Sequence, residues 1–272
     1  MDFGIKGKVA IVTGTNRKGA MGDTIARTLA QEGADIACVD IVLPGAEEVA
    51  KAIRDMGQRA IAIKCDQSDH QQVVDAVTRI RAELGVPEIL VNNAALLRGG
   101  GRIQSTTVED WKNLMKIDLD GPWYWIREVW ESMVERKFGR IINISSIAGV
   151  QGGFGQANYS SAKGAVISLA KTAALEGARV GITANVVTLG VVNTAGDAPP
   201  PPPPTGAPTG GQPPRGPQEG GTFDRIKMQI AMREFGKPSD VANLCAYLCS
   251  VQSGYITGQD IHVMGGLDLF TY

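Results

Sequence analysis

Short apolar runs alternate with amphipathic stretches along most of the chain. The runs are rich in β-branched residues and predict strands, which we place at Val9–Thr13, Asp35–Asp40, Ala60–Asp66, Ile89–Asn92, Arg140–Ser145, Thr183–Val187 and Asp260–Val263. Helical patterns lie between the runs, at about Gly22–Glu32, Gly45–Met56, Asp69–Leu84, Thr107–Lys137, Tyr159–Arg179 and Asp240–Cys249. This alternation predicts an α/β fold in which a parallel sheet carries helices on both faces. We expect a single doubly wound domain over residues 1–272.

Residues 195–222 interrupt this pattern. The segment contains six consecutive prolines, Pro199–Pro204, and many glycines. Such a composition cannot bury an apolar core, and a proline run favours the polyproline II conformation. Because a helical pattern resumes at Phe223, we interpret the segment as an insertion loop within the domain. A proline-rich docking motif for a protein partner is the alternative interpretation.

Composition and charge exclude several classes of function. The net charge of −1 provides no basic surface for nucleic acid or an anionic membrane. No apolar run approaches the length of a transmembrane helix, and the N-terminus lacks a signal-peptide pattern. The four cysteines lie in predicted core elements without the further ligands of a metal site. We therefore expect a cytoplasmic protein that binds a small-molecule substrate, no metal, no nucleic acid and no membrane.

Candidate chemistry is concentrated between Asn143 and Lys163. A predicted strand ends near Ser146, a glycine-rich loop follows, and a helix contains Tyr159 and Lys163. Residues four apart share one face of a helix, so the phenol and the ammonium are expected to lie close together. A nearby ammonium favours the ionised phenol and lowers its pKa, which suits an acid or base working near neutral pH. The turn brings the Ser146 hydroxyl back beside the phenol, where it can hold a substrate oxygen.

This segment, Asn-Ile-Ser-Ser followed by a glycine loop and Asn-Tyr-Ser-x-x-Lys, resembles the active-site segment of the short-chain dehydrogenase/reductase family. The resemblance extends from about Lys6 to Gly266, apart from the insertion. It implies a Rossmann-type fold, a homo-oligomer (dimer or tetramer), and hydride transfer between a nicotinamide cofactor and a secondary alcohol or ketone. It further implies that Tyr159 exchanges the proton, that Ser146 binds the substrate oxygen, and that Lys163 binds the nicotinamide ribose. In this family the segment that corresponds to the insertion commonly covers the substrate.

The loop after the first predicted strand supplies glycines for a cofactor pyrophosphate. Glycines let the backbone approach the phosphates, and a helix N-terminus directs N–H groups at them. The candidate contacts in this loop are Gly14, Asn16, Arg17, Gly19, Met21 and Gly22. The loop is two residues longer than the family's usual form and resembles that of the enoyl-reductase branch. That branch places its tyrosine and lysine seven apart, so the spacing of Tyr159 and Lys163 favours ketone and alcohol chemistry, with enoyl reduction as the alternative.

Further cofactor contacts are predicted at the ends of other strands. A carboxylate at Asp40 accepts hydrogen bonds from the adenosine ribose and repels a 2′-phosphate, which favours NAD over NADP. Arg17 and Lys18 are the counter-argument, because basic residues in this loop serve the 2′-phosphate of NADP-dependent relatives. By resemblance, Asp66 contacts the adenine and Thr194 contacts the nicotinamide amide. The same resemblance assigns Asn92 and Ala94 to the cofactor site.

Asp118 departs from the family pattern. Relatives usually have an asparagine at this position, which bends a helix and holds a water in the proton relay. An aspartate is nearly isosteric, but it adds a charge and loses the amide donor. We retain Asp118 as a candidate catalytic residue. Together with Ala95 and Leu189, which also depart from the family pattern, it supports a further alternative: a cofactor-binding regulatory protein with little turnover.

Overall fold

Seven parallel strands form the sheet of this computed structural model, which describes residues 2–96, 101–194 and 222–269. In chain order the strands are β1 Val9–Thr13, β2 Asp35–Asp40, β3 Ala60–Lys64, β4 Pro87–Asn92, β5 Gly139–Ser146, β6 Ile182–Leu189 and β7 Asp260–Val263. Their order across the sheet is β3-β2-β1-β4-β5-β6-β7. The predicted doubly wound, Rossmann-type α/β fold is confirmed.

Helices connect the strands and cover both faces of the sheet. The α-helices are α1 Met21–Gln31, α2 Leu43–Asp55, α3 His70–Glu83, α4 Val108–Met115, α5 Gly121–Arg136, α6 Ile147–Gln151, α7 Ala157–Gly177, α8 Thr222–Gln229 and α9 Pro238–Cys249. A π-helical turn, Lys116–Asp120, joins α4 to α5. Short 3₁₀ turns lie at Ile103–Ser105 and Ala178–Val180.

The core is divided by the sheet into two apolar layers. Ala10 and Val12 of β1 pack with α1, α2 and α9, whereas Val9 and Ile11 pack with α3, α5 and α7. Successive side chains of a strand point to opposite faces, so a strand between two helical layers is apolar at every position. This is why the apolar runs predict the strands so well.

Three differences between the predicted elements and the structure lie near the candidate site. The helix predicted over Thr107–Lys137 is interrupted by the π-helical turn, in which the Gly121 N–H bonds to the Lys116 carbonyl, one residue further back than in an α-helix. The glycine loop contains the short helix α6, and strand β3 ends two residues before Asp66. The interpretation of residues 195–222 as a substrate-covering loop falls almost wholly outside the described residues and stays a prediction.

A search of the described ranges finds no helix long and apolar enough to cross a membrane. The same ranges contain no cluster of three His, Cys, Asp or Glu residues arranged to hold a metal ion.

Candidate active site

The candidate site lies at the carboxyl ends of the central strands. Strand β1 pairs with β2 on one side and with β4 on the other. The chain therefore leaves neighbouring strands in opposite directions at this point, which opens the crevice where ligands of such sheets bind. The predicted cofactor loop follows β1, and Ser146 ends β5 at the same edge.

The loop between β1 and α1 has the shape of a phosphate cradle. A Cβ on Gly22 would lie 2.1 Å from the Gly14 carbonyl oxygen, so only glycine permits this contact between helix and loop. Gly19 has a φ of +75°, and a Cβ there would meet open space. The N-cap residue of α1, Ala20, makes no side-chain cap, so no side chain competes at that position for the first N–H groups of the helix. Met21, the first residue of α1, is buried. These features fit a dinucleotide pyrophosphate.

Asp40 ends β2 beside this loop and organises it. Its carboxylate accepts hydrogen bonds from the Asn16 N–H at 3.1 Å, the Asn16 side-chain amide at 3.0 Å and the Val42 N–H at 2.9 Å. A carboxylate has about four acceptor positions, so one remains for a ribose hydroxyl. The side chain of Arg17 points elsewhere: its Nη2 donates to the carbonyl oxygen of Thr194 at 3.1 Å and to its hydroxyl at 2.9 Å.

Asn93, the residue after the predicted cofactor contact Asn92, holds the glycine loop. The Asn93 side-chain amide donates to the carbonyl oxygens of Thr13 at 2.8 Å and Gly14 at 3.2 Å. The Asn92 amide instead bonds to the Asn143 side chain at 2.9 Å, inside the core. Neighbouring residues of a strand point to opposite faces, which explains why two adjacent asparagines have different roles. Sequence reasoning missed Asn93 because nothing distinguishes the two residues before the direction of the strand is known.

Two further predicted cofactor residues, Ala94 and Asp66, are held in place by hydrogen bonds that involve backbone N–H groups. Ala94 donates its N–H to the Thr13 hydroxyl at 3.0 Å, which fixes the end of β4 against β1. The Asp66 carboxylate accepts the N–H and hydroxyl of Ser68 at 2.9 and 2.8 Å. Both residues lie at the carboxyl edge of the sheet, as predicted, in the loops after β4 and β3.

Ser146 and Tyr159 come together as the spacing predicted. Ser146 caps helix α6 by accepting the Ala148 N–H at 3.2 Å, and its hydroxyl lies near the Tyr159 phenol. Burial raises the pKa of Tyr159, the nearby Ser146 side chain acts in the opposite direction, and the charge of Asp118 adds to the increase. The predicted lowering of this pKa by Lys163 is therefore wrong for the structure described.

The surroundings of Lys163 explain why its positive charge does not lower the pKa of the Tyr159 phenol. Its Nζ lies 5.8 Å from the centre of the Tyr159 ring, donates to the Ile144 carbonyl at 3.1 Å and lies 3.6 Å from Asp118 Oδ2. Asp118 is wholly buried, and its other oxygen accepts the Leu96 N–H at 2.7 Å. The positive charge of Lys163 thus faces a carboxylate that offsets its field at the phenol.

Each member of this ion pair is perturbed by burial. Desolvation lowers the pKa of Lys163 and raises the pKa of Asp118, and in both cases the partner's charge opposes the change. Asp118 Oδ2 has no hydrogen-bond partner within the described part of the chain. A buried acceptor of this kind suits a small donor such as a water molecule.

The combination of a dinucleotide cradle with a serine, tyrosine and lysine at the carboxyl edge of a parallel sheet defines a nicotinamide-dependent oxidoreductase. The chain belongs to the short-chain dehydrogenase/reductase family. A family model described as enoyl-(acyl carrier protein) reductase matches residues 14–268. An acetoacetyl-CoA reductase of Rhizobium meliloti is 35% identical over 260 residues, covering 95% of this chain and 98% of the relative. The 3-oxoacyl-[acyl-carrier-protein] reductase FabG of Escherichia coli is 34% identical over 263 residues, covering 96% and 98%.

These relatives agree with the chemistry predicted from the catalytic segment. The protein is an oxidoreductase that transfers a hydride between a nicotinamide cofactor and a secondary alcohol or ketone. The spacing of Tyr159 and Lys163 gave this reaction class, while the length of the cofactor loop pointed to the enoyl-reductase branch.

Proposed function

We propose that the protein reduces the ketone of a 3-oxoacyl thioester to the 3-hydroxyacyl thioester, with NADH as the reductant. The observation that carries the proposal is the joint placement of Ser146 and Tyr159, whose side chains lie near each other, with Lys163 one helical turn further along α7. Two relatives that match nearly the whole chain bear names of reductases acting on such thioesters. The substrate class is taken from those names, and the residue roles are taken from the geometry.

Each residue of the site has a distinct role in this reaction. A nicotinamide bound in the cradle would supply the hydride that the carbonyl carbon accepts. As negative charge develops on the carbonyl oxygen, the Ser146 hydroxyl donates a hydrogen bond to it and the Tyr159 phenol transfers its proton to it. Lys163 holds the nicotinamide ribose, and Asp118 holds Lys163 in place and accepts a hydrogen bond from a water molecule that resupplies the proton.

The cofactor is held along the strand ends. Gly14, Gly19 and Gly22 bring the backbone and the start of α1 to the pyrophosphate, with Asn16, Arg17 and Met21 beside them. Asp40 accepts from the adenosine ribose, Asp66 and Ala94 flank the adenine, and Thr194 binds the nicotinamide amide. Asn92, whose side chain bonds to Asn143, supports the end of β4 beside the cofactor, and its neighbour Asn93 shapes the loop.

The choice of NAD over NADP rests on the side chains of Asp40 and Arg17. The buried Asp40 carboxylate would repel a 2′-phosphate, which carries close to two negative charges. Arg17, the cation that would neutralise such a phosphate, is hydrogen-bonded to Thr194 instead. The residue after Asp40 is Ile41, which is exposed and brings no charge.

Oxidation of NADH followed by its absorbance tests the proposal directly. Acetoacetyl-CoA and the minimal thioester acetoacetyl-N-acetylcysteamine should both be reduced, and the product should be the 3-hydroxyacyl thioester. Tyr159→Phe should abolish the reaction. Absence of turnover with every 3-oxoacyl thioester, but turnover with other ketones, would refute the substrate class and leave the reaction class standing.

Enoyl reduction is the second candidate, favoured by the extended glycine loop and by the description of the matching family model. Crotonyl-N-acetylcysteamine presents the α,β-double bond without a 3-oxo group. Consumption of NADH with this thioester and not with acetoacetyl-N-acetylcysteamine would select enoyl reduction. A regulatory protein with little turnover predicts no consumption with either.

Assembly and location complete the proposal. A homo-oligomer, dimer or tetramer, is expected from the family resemblance, and sedimentation of the purified chain tests it. A cytoplasmic location is supported by the four cysteines, all of which are free thiols. Reducing compartments keep thiols in this state.

A further inference from the structure

A glutamine outside the catalytic segment holds the turn that carries Asp118. We propose that Gln67 is a positioning residue, whose side-chain amide fixes the π-helical turn so that the Asp118 carboxylate lies between the Leu96 N–H and Lys163. This inference rests on the proposed reaction and deepens it, because it identifies how a residue after β3 controls the geometry of the proton relay.

The π-helical turn leaves one carbonyl without a helical donor. In a regular α-helix the Ile117 carbonyl would accept the N–H of Gly121. That N–H is donated to the Lys116 carbonyl instead. The next residue, Pro122, has no N–H to offer. The Ile117 carbonyl therefore needs a partner from outside the helix, because an unpaired carbonyl away from water is costly.

Gln67 supplies that partner. Its Nε2 donates to the Ile117 carbonyl at 2.7 Å and to the Ala94 carbonyl at 3.2 Å, which uses both donors of the amide nitrogen. The side chain is 7% exposed. A Cβ on Gly121 would lie 2.6 Å from Gln67 Cγ, so the helix comes this close to Gln67 only because residue 121 is glycine.

Gln67 binds the carbonyls of Ile117 and Ala94, which lie close in sequence to the Asp118 carboxylate and to its donor, the Leu96 N–H. Ile117 directly precedes Asp118, and Ala94 lies two residues before Leu96, whose N–H is donated to Asp118 Oδ1 at 2.7 Å. One amide thus ties together the segment that carries the donor and the turn that carries the carboxylate. Without it, the turn is free to revert to regular helix, and one residue of α-helix corresponds to a rotation of about 100°. Such a rotation removes Asp118 from Leu96 and from Lys163.

The test combines substitution of Gln67 with a matched control. Gln67→Leu keeps most of the volume and removes both donors. Gln58→Leu is the control, because the Gln58 amide also donates two hydrogen bonds, to the Gly33 carbonyl at 2.9 Å and to Asp35 at 2.7 Å, on a different edge of the sheet. We expect Gln67→Leu to lower kcat about tenfold, a fraction of what a complete proton-transfer group contributes, and Gln58→Leu to leave kcat unchanged.

A double-mutant cycle shows whether the effect passes through Asp118. In the Asp118→Ala background, Gln67→Leu should lower kcat by less than about twofold, because the group that it positions is already absent. An equal loss in both backgrounds would overturn the proposal. If Gln67→Leu does not fold, Gln67→Met, which is unbranched and close in length, takes its place in the cycle.

A measurement without substrate separates this proposal from the proposed function. The ¹³C NMR signal of the Asp118 carboxyl, assigned through Asp118→Asn, should titrate differently in Gln67→Leu than in the wild type and in Gln58→Leu. Indistinguishable titrations in all three proteins would refute the positioning role even if ketone reduction is found. An altered titration limited to Gln67→Leu would support it even if no 3-oxoacyl thioester is reduced.

Discussion

Lys163 Nζ lies 3.6 Å from Asp118 Oδ2 and 5.8 Å from the centre of the Tyr159 ring, and the side chains of Lys163 and Asp118 are both buried. The positive charge that would stabilise a phenolate is therefore partly neutralised by a carboxylate. This relationship connects a single departure from the family sequence to the acidity of Tyr159.

Substitution Asp118→Asn should lower the pKa of Tyr159. The charge of Asp118 raises that pKa, so its removal has the opposite sign, and Lys163 then acts on the phenol without an opposing carboxylate. Alcohol oxidation needs the ionised phenol, so its rate increase with pH should move to lower pH in the variant. Ketone reduction needs the protonated phenol, so its loss at alkaline pH should also begin at lower pH.

Profiles of kcat/KM against pH, measured in both directions, check this prediction. Asp110→Asn serves as a control. Asp110 belongs to the N-terminal cap of helix α4 at the surface, so this substitution removes a charge without touching Lys163. A profile of Asp118→Asn that coincides with the wild type, or that moves to higher pH, would contradict it.

Substitution Tyr159→Phe should lower kcat by at least about 100-fold, because it removes the proton-transferring hydroxyl and leaves the ring. The affinity for NADH, measured by fluorescence, should change little. Tyr247→Phe is the matched control: this tyrosine is on α9, where it packs edge-on against Phe3. Retention of more than about a tenth of the wild-type kcat by Tyr159→Phe would exclude it as the proton donor.

Asp40 should set the preference between the two cofactors. We expect kcat/KM with NADH to exceed that with NADPH at least about tenfold in the wild type, because the carboxylate repels the 2′-phosphate. Asp40→Ala should narrow this ratio. The ratio is the proper measurement, because the substitution also removes acceptors of the Asn16 and Val42 N–H groups and weakens the loop for both cofactors.

Asp35→Ala provides the control for this comparison. Asp35 begins the same strand, is equally buried, and pairs with Arg59 at 2.9 Å at the far end from the site. Asp35→Ala should lower the stability of the fold and leave the ratio of kcat/KM with NADH to kcat/KM with NADPH unchanged. Equal use of NADH and NADPH by the wild type would show that Arg17 and Lys18 outweigh the carboxylate.

Substitution Gly22→Ala should weaken cofactor binding more than it weakens the fold. The added Cβ would lie 2.1 Å from the Gly14 carbonyl oxygen, so helix and loop must separate, at a cost of about 1–3 kcal/mol. The Kd for NADH should rise by about tenfold or more, since 1.4 kcal/mol corresponds to a factor of ten. Gly254→Ala, where the nearest atom is 3.3 Å away and remote from the site, should leave the Kd unchanged. Calorimetric titration with NADH measures both.

His262 should stabilise the fold more at acid pH than at alkaline pH. Its hydrogen bond to Asp268, 2.6 Å long, raises the pKa of His262, and the charge of Asp260 adds to this. A raised folded-state pKa gives stability that is complete below the unfolded value, about 6.5, and is lost as pH rises through the folded value.

The melting temperature of His262→Gln, measured at pH 5.5 and 8.5, checks this sign. The loss should be larger at the lower pH and amount to at most about 3 °C, because the pair is partly exposed. Lys51→Gln, which breaks the exposed ion pair of Lys51 with Asp55, should give equal small losses at both values. A larger loss for His262→Gln at pH 8.5 would contradict the assignment.

Much of the fold follows from the sequence because strands between two helical layers have a simple signature. Three strands, Val9–Thr13, Asp35–Asp40 and Asp260–Val263, have the bounds that the apolar runs predict. The π-helical turn could not be predicted in this way, since it depends on which donors reach which carbonyls. Periodicity cannot show that the Gly121 N–H bonds to Lys116 instead of Ile117, or that the Gln67 amide then binds the Ile117 carbonyl.

The candidate site also combines features that the sequence predicts with features that depend on the folded structure. Spacing alone brings Tyr159 and Lys163 to one helix face, and the turn brings Ser146 to the phenol, as the structure describes. The direction of the Tyr159 pKa could not be predicted, because it depends on burial and on a carboxylate forty-one residues away in sequence. Charge balance in a buried cluster is a property of three-dimensional neighbours.

The position of β1 between β2 and β4 also places coenzyme preference and substrate scope in different parts of the site. The residues proposed to contact the adenosine half of the cofactor lie after β1, β2, β3 and β4, whereas the proposed reacting groups lie at the end of β5 and at the start of α7. Coenzyme preference can therefore be redesigned at Asp40 without disturbing the chemistry at Tyr159. Substitutions around Ser146 can likewise change the range of substrates without changing how the coenzyme is bound.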